Sequence, residues 1–217
     1  MIHPISHKNE KDRLASLHSF SILDSKPEKD FDNITALAAD ICNVPVSLVS
    51  FVDKDRQWFM SNHGTETKET PRQVSFCAHA ILQDDIFIVS DARKDDRFKD
   101  NPSVTGKSNI VFYAGVPLID KEGLPIGSLC VIDHKPRTLE KRQINALKTL
   151  ATQVMNLLYL RKNEQEINSL NMQLIAKNQD LEKFAMVLAH DIKSPLNNIK
   201  GALHLLADDI NEKVDKK

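Results

Sequence analysis

Phe112-Tyr113-Ala114-Gly115-Val116-Pro117-Leu118-Ile119 runs through Asp120-Lys121-Glu122-Gly123 to Gly127-Ser128-Leu129-Cys130-Val131-Ile132, and this pair of runs decides how the chain folds. Both are rich in apolar, β-branched and aromatic residues, and an acidic residue and a glycine mark the connection. That spacing predicts an antiparallel hairpin. Upstream, Val44-Pro45-Val46-Ser47-Leu48-Val49-Ser50-Phe51-Val52 reads as a buried strand. Asp53-Lys54-Asp55-Arg56 is a turn, and Gln57-Trp58-Phe59-Met60-Ser61 returns as a second strand. Ile86-Phe87-Ile88-Val89 is a further short strand, and residues 75–82 form a short helix. Nearer the start, Leu14, Leu17 and Leu23 stand at near-helical spacing. Pro27 interrupts, and Phe31, Ile34, Leu37, Ala38 and Ile41 then make a cleaner amphipathic face. The predicted class is α+β, an antiparallel sheet with flanking helices.

With 217 residues, 41% hydrophobic and 27% charged, the chain has room for one sizeable domain and an appendage. A formal charge of −1 argues against a general nucleic-acid binder. No apolar run approaches the roughly 20 residues needed to span a bilayer, and the first residues lack the apolar core of a signal peptide. A cytoplasmic protein without a membrane span is expected. Cys42, Cys77 and Cys130 form no Cys-x-x-Cys pair, so they read as buried free thiols and no metal site is expected.

From Thr138, read as an N-cap, helix alone continues. Leu147, Leu150, Val154 and Leu157 run at three-four spacing. Leu160, Ile167, Leu170, Leu174, Leu181, Phe184 and Leu188 then carry a heptad-like stripe, broken by Asn163 and Lys177. The stripe predicts a parallel homodimeric signalling helix or coiled coil; the other reading is a helix packed on its own domain.

The first part of the chain resembles the GAF sensor family. The blocks that carry the likeness are Arg56-Gln57-Trp58-Phe59, Thr70-Pro71-Arg72, Ser75-Phe76-Cys77, Asp96-Arg97-Phe98, Phe112-Tyr113-Ala114-Gly115 and Gly127-Ser128-Leu129-Cys130-Val131-Ile132-Asp133. The resemblance spans residues 10–162 and implies a GAF-like antiparallel sheet of five or six strands, terminal helices on one face and a small-molecule cavity on the other. Its ligand is unknown from sequence: cyclic-nucleotide and bilin motifs are incomplete, and His63 and His79 are the central candidates for a haem axial ligand. Trp58, Arg72, Asp91, Arg97 and Tyr113 either line the pocket or brace loops through salt bridges and stacking. On this reading residues 163–183 are a linker helix.

Residues 184–217 resemble an incomplete dimerisation and phosphoacceptor (HisKA) helix of sensor histidine kinases, through the run Phe184-Ala185-Met186-Val187-Leu188-Ala189-His190-Asp191-Ile192-Lys193-Ser194-Pro195-Leu196. A helix imidazole turned to solvent is available as a nucleophile, and an adjacent carboxylate can take up its proton. The likeness implies His190 as phosphoacceptor, Asp191 as its acid/base partner, and Ser194 at a position used for phosphatase activity. It implies the sensor and phosphoacceptor part of a two-component kinase. His190 would then relay phosphate to a response regulator receiver domain. Only Gly201 lies beyond Gly127 and no Walker loop occurs, so ATP would be held by a catalytic domain in cis or in trans. The alternative is a non-enzymatic GAF small-molecule-binding module that dimerises through its helical tail. A third reading is a redox or light-sensing protein using Cys77.

Overall fold

The computed structural model describes residues 1–214, with residues 189–191 and 204–214 described by their backbone alone. The elements run α1 (Glu10–Ser19), α2 (Lys29–Cys42), β1 (Val46–Val52), β2 (Arg56–His63), β3 (Glu69–Pro71), α3 (Phe76–Ala80), β4 (Phe87–Val89), α4 (Pro102–Thr105), β5 (Phe112–Ile119), β6 (Pro125–Asp133) and α5 (Lys141–Val214). Six strands form one antiparallel sheet in the order β3-β2-β1-β6-β5-β4. The chain divides into two compact units, Met1–Asn163 and the part of α5 from Glu164 onward.

Both faces of the sheet are covered, which explains why β1 and β6 are buried at every position. Period-two alternation sorts their side chains. Val49, Phe51, Leu129 and Val131 meet Leu17, Phe31, Ala38, Leu147 and Val154 from the long helices. Leu48, Cys130 and Ile132 face the opposite way and pack with Phe76, Phe98 and Tyr113.

The hairpin forms as its turn chemistry dictates. Asp120 accepts from the Glu122 and Leu124 amides at 2.9 and 2.7 Å, and Gly123 supplies the left-handed residue at φ 81°. Ser75 caps α3 by accepting from the Ala78 amide at 3.0 Å, and Asn101 caps α4 with Pro102 in its first turn. The start of α5 corrects the sequence reading. Glu140, not Thr138, precedes it, and the Glu140 amide donates to Gln143 Oε1 at 2.9 Å. Strand β3 went unread because three residues cannot display alternation. Pro195 lies inside α5 without ending it.

A charged cluster pins α1 to the sheet. Glu10 receives a two-pronged contact from Arg13 and a third bond from Arg72 at 2.6 Å. Burial alone would raise the Glu10 carboxyl, but the hydrogen bonds from Arg13 and Arg72 outweigh it and hold it down at about 2. A folded value below the unfolded one stabilises the native state above about 4.5, and this contribution is lost as pH falls towards 2. In urea titrations the stability gap between the native chain and Glu10→Gln should therefore narrow over that interval. A gap that stays constant with pH would count against the arrangement.

Candidate functional site

On the face of the sheet opposite the long helices, a cavity of about 270 Å³ opens between β1, β2, the end of β6 and the segment after α4. Its floor is apolar: Val46, Leu48, Phe59, Ile110 and Ile132. Its rim is polar, with Thr65, Thr67, Thr70, Ser103 and Ser108, together with Lys107 and His134. The wall is held from both sides. Asn101 Nδ2 donates to the Val74 carbonyl at 3.0 Å, and the Ile110 amide donates to the Ser103 carbonyl at 2.9 Å. Nδ1 of His134 lies 3.0 Å from the Asn109 carbonyl, which fixes its ring at the mouth.

A smaller recess of about 50 Å³ adjoins this cavity and reaches Gln57, Ser75, Cys77 and Tyr113. Here Gln57 Nε2 donates to Cys77 Sγ at 2.9 Å and Tyr113 Oη donates to it at 3.1 Å. Ser75 in turn donates to the Gln57 side-chain carbonyl. Cys130 Sγ lies 3.8 Å from Cys77 Sγ. A polar nest thus lies at the end of this recess, beneath the apolar floor.

The residues expected to line the pocket are mostly elsewhere. Tyr113 reaches the recess. Trp58 points to the other face, where its ring stacks with Phe51 at 6.4 Å within the helix-side core. Arg72 is spent on Glu10 and on the Asp53 and Lys54 carbonyls. Asp91 is held by Arg93 at 2.8 and 2.9 Å. Arg97 forks onto Asp95 and lies over the Phe87 and Phe98 rings at 4.8 and 5.4 Å. Bracing is the role the structure gives to these last three. His79 packs edge-on to Phe98 at 4.9 Å, and His63 is exposed at the end of β2, so neither lines the cavity. Among the described residues no cluster of His, Cys, Asp or Glu is arranged to hold a metal.

The residues that do build the rim went unread because they sit in irregular segments. Thr65 and Thr67 follow β2, and Lys107 and Ser108 follow α4. Their only signal in sequence is a clustering of small hydroxyl residues around glycine. Of the phosphoacceptor residues, Ser194 is exposed on α5, whereas the His190 and Asp191 side chains lie outside the described residues.

Residues 26–158 match the sequence pattern of the GAF domain family. A cyclic di-GMP phosphodiesterase of Pseudomonas aeruginosa is 42% identical over 156 residues, which cover 71% of this chain and 27% of the relative. The chain thus spans about a quarter of that relative's length. Two solved structures share the fold. The GAF domain of an Acinetobacter phosphoenolpyruvate-protein phosphotransferase is 19% identical, with a TM-score of 0.51 over 71% of this chain and 98% of that one. A domain of a two-component sensor histidine kinase protein from Sinorhizobium meliloti is 12% identical, with a TM-score of 0.51 over 65% and 97%.

These findings overturn the reading as a histidine-kinase phosphorelay. The relative that matches most of the chain at 42% identity is named for a phosphodiesterase, not for a kinase. The kinase-named likeness is one of fold alone. The physical reason for the error is plain. The phosphoacceptor likeness rested on one run of an amphipathic helix, where His, Asp and Lys also serve as ordinary solvated positions.

Proposed function

Since the chain belongs to the GAF domain family, we propose that residues 1–163 are a non-enzymatic small-molecule-binding module and that the helix beyond pairs with that of a second copy. The observation that carries the binding reading is the cavity over the sheet: an apolar floor beneath a hydroxyl rim with Lys107 and His134 at the mouth. Such a lining takes a small ligand with an apolar body and an anionic or hydrogen-bonding head. At about 270 Å³ it lies just below the usual range of ~300–1,000 Å³ for small-molecule sites, which favours a compact ligand. At the mouth His134 Nδ1 meets the Asn109 carbonyl rather than a rim hydroxyl, an arrangement that suits holding a ligand. The helical tail is the element through which occupancy would be passed on. For a chain spanning about a quarter of its relative, the downstream recipient belongs to that same proposal.

The test is a thermal-shift series on the full chain with small carboxylates and phosphate monoesters as probes. A probe present at a hundredfold excess over its Kd stabilises by about 2.7 kcal/mol. At this size that is a rise in Tm of roughly 5–10 °C. Lys107→Ala, an exposed substitution, should weaken an anionic probe about tenfold by removing one charge-assisted bond. Ile110→Trp should fill the cavity and abolish the shift. An unchanged Tm with every probe, or a shift that survives Ile110→Trp, would sink the assignment.

A further inference from the structure

We propose that Cys77 and Cys130 form a redox-active dithiol, oxidised to an intramolecular disulfide by a small hydroperoxide that enters through the recess beside the cavity. The two sulfurs stand 3.8 Å apart, far apart in sequence yet brought together by α3 and β6. A disulfide needs them at about 2.05 Å, a closure of under 2 Å across the contact between a five-residue helix and the sheet. The recess of about 50 Å³ touches Cys77 and has room for a molecule on the order of one or two waters. It therefore admits hydrogen peroxide and excludes bulkier thiols and oxidants.

The surroundings divide the two sulfurs by role. Burial would push the Cys77 thiol up, but hydrogen bonds from Cys130, Ser128, Ser50 and Tyr113 outweigh it and draw it below the ordinary value. Cys130 is pushed the other way by its bond to Cys77 and by burial, so it remains a thiol. The Tyr113 phenol is also held protonated by burial and by the neighbouring sulfurs, and so stays a donor. Its placement depends on Gly115, where a Cβ would run into the Tyr113 hydroxyl.

In the first step the Cys77 thiolate attacks one peroxide oxygen and the O–O bond breaks. Hydroxide leaves, takes up a proton and becomes water, and Cys77 is left as a sulfenic acid. In the second the Cys130 sulfur attacks the Cys77 sulfur. The S–O bond breaks, a second water leaves with the Cys130 proton, and the S–S bond forms. Two electrons pass from the dithiol to the peroxide. The step does not depend on the proposed ligand.

Cys42 is the internal control: it is buried apart from the pair, and burial pushes its thiol up to about 11. Exposure of the folded full chain to hydrogen peroxide should lower its mass by two hydrogens. Peptide mapping should recover a Cys77–Cys130 cross-link that dithiothreitol removes, with Cys77 lost at least tenfold faster than Cys42. In Cys130→Ser the reaction should stop at a sulfenic acid on Cys77, read as a gain of one oxygen in mass and captured by dimedone once the chain is unfolded in its presence, and Tyr113→Phe should slow the loss of Cys77 several-fold. The cross-link is read in the unsubstituted chain, so misfolding of a variant does not blunt the test. Persistence of all three thiols, a cross-link through Cys42, or overoxidation of Cys77 without any cross-link would each overturn the proposal.

Discussion

Arg13→Ala should cost the sensor unit about 3–5 kcal/mol, the range for removing one partner of a buried ion pair. The Arg13 side chain is fully buried, although arginine almost never is unless it is paired. Its fork meets Glu10 at 2.7 and 3.1 Å, and Nη1 donates to the Val52 carbonyl at 2.7 Å where β1 ends. Alanine would strip a donor from that carbonyl, remove one of the two cations on Glu10 and leave a cavity under α1. Arg13→Met keeps the apolar stem in place and should cost less. Combining it with Glu10→Gln should cost less than the two single changes together, since the pair is then removed as a unit. Urea unfolding measures all three. A loss below about 1 kcal/mol for Arg13→Ala would mean that the cluster is not what ties α1 to the sheet.

The same cluster shows where sequence reading succeeds and where it stops. The hairpin was legible because alternation, an acidic turn residue and a glycine all agree, and β5 spans the predicted residues 112–119. The face of α5 was legible in part. Leu147 and Val154 are buried as three-four spacing demands, while Leu150 and Leu157 sit at the margin of the core. Arg13 was not legible: Glu10 three residues earlier is an ordinary helix-surface partner, and the charge reads as solvated until the distant Val52 carbonyl is seen to receive it. For Arg72, Asp91 and Arg97 sequence leaves lining and bracing open, because a polar group within a sensor-like block suits either; in the structure each meets an ion-pair partner. Cys77 and Cys130 looked remote, 53 positions apart, and only the docking of α3 on β6 brings them together. The cavity rim was hidden because short loops carry no period.

If α5 pairs with that of a second copy as proposed, Leu174→Glu combined with Leu181→Glu should turn the dimer into a monomer. Ile167, Leu174, Leu181 and Leu188 repeat every seven residues, with Leu170 and Phe184 at the intervening positions. All six are between 43% and 67% exposed. A stripe of that length and spacing on one helix matches what a second copy of the same helix offers in return. Burying one leucine is worth at least about 1.5 kcal/mol, so charging two per chain removes about 6 kcal/mol or more from the pair. That is roughly four orders of magnitude in dissociation constant. Between Ile167 and Leu188 the stripe is interrupted at Lys177, and pairing would place a charge there in each chain. Lys177→Leu should therefore tighten the dimer, and that gain separates helix pairing from generic loss of solubility. Sedimentation equilibrium on the full chain reads both changes. The unfolding midpoint of residues 1–163 should stay put in each variant, since the substitutions lie in the other compact unit. A native chain that sediments as a monomer at micromolar concentration, or a Lys177→Leu variant no tighter than the parent, would leave the stripe without a partner of its own kind.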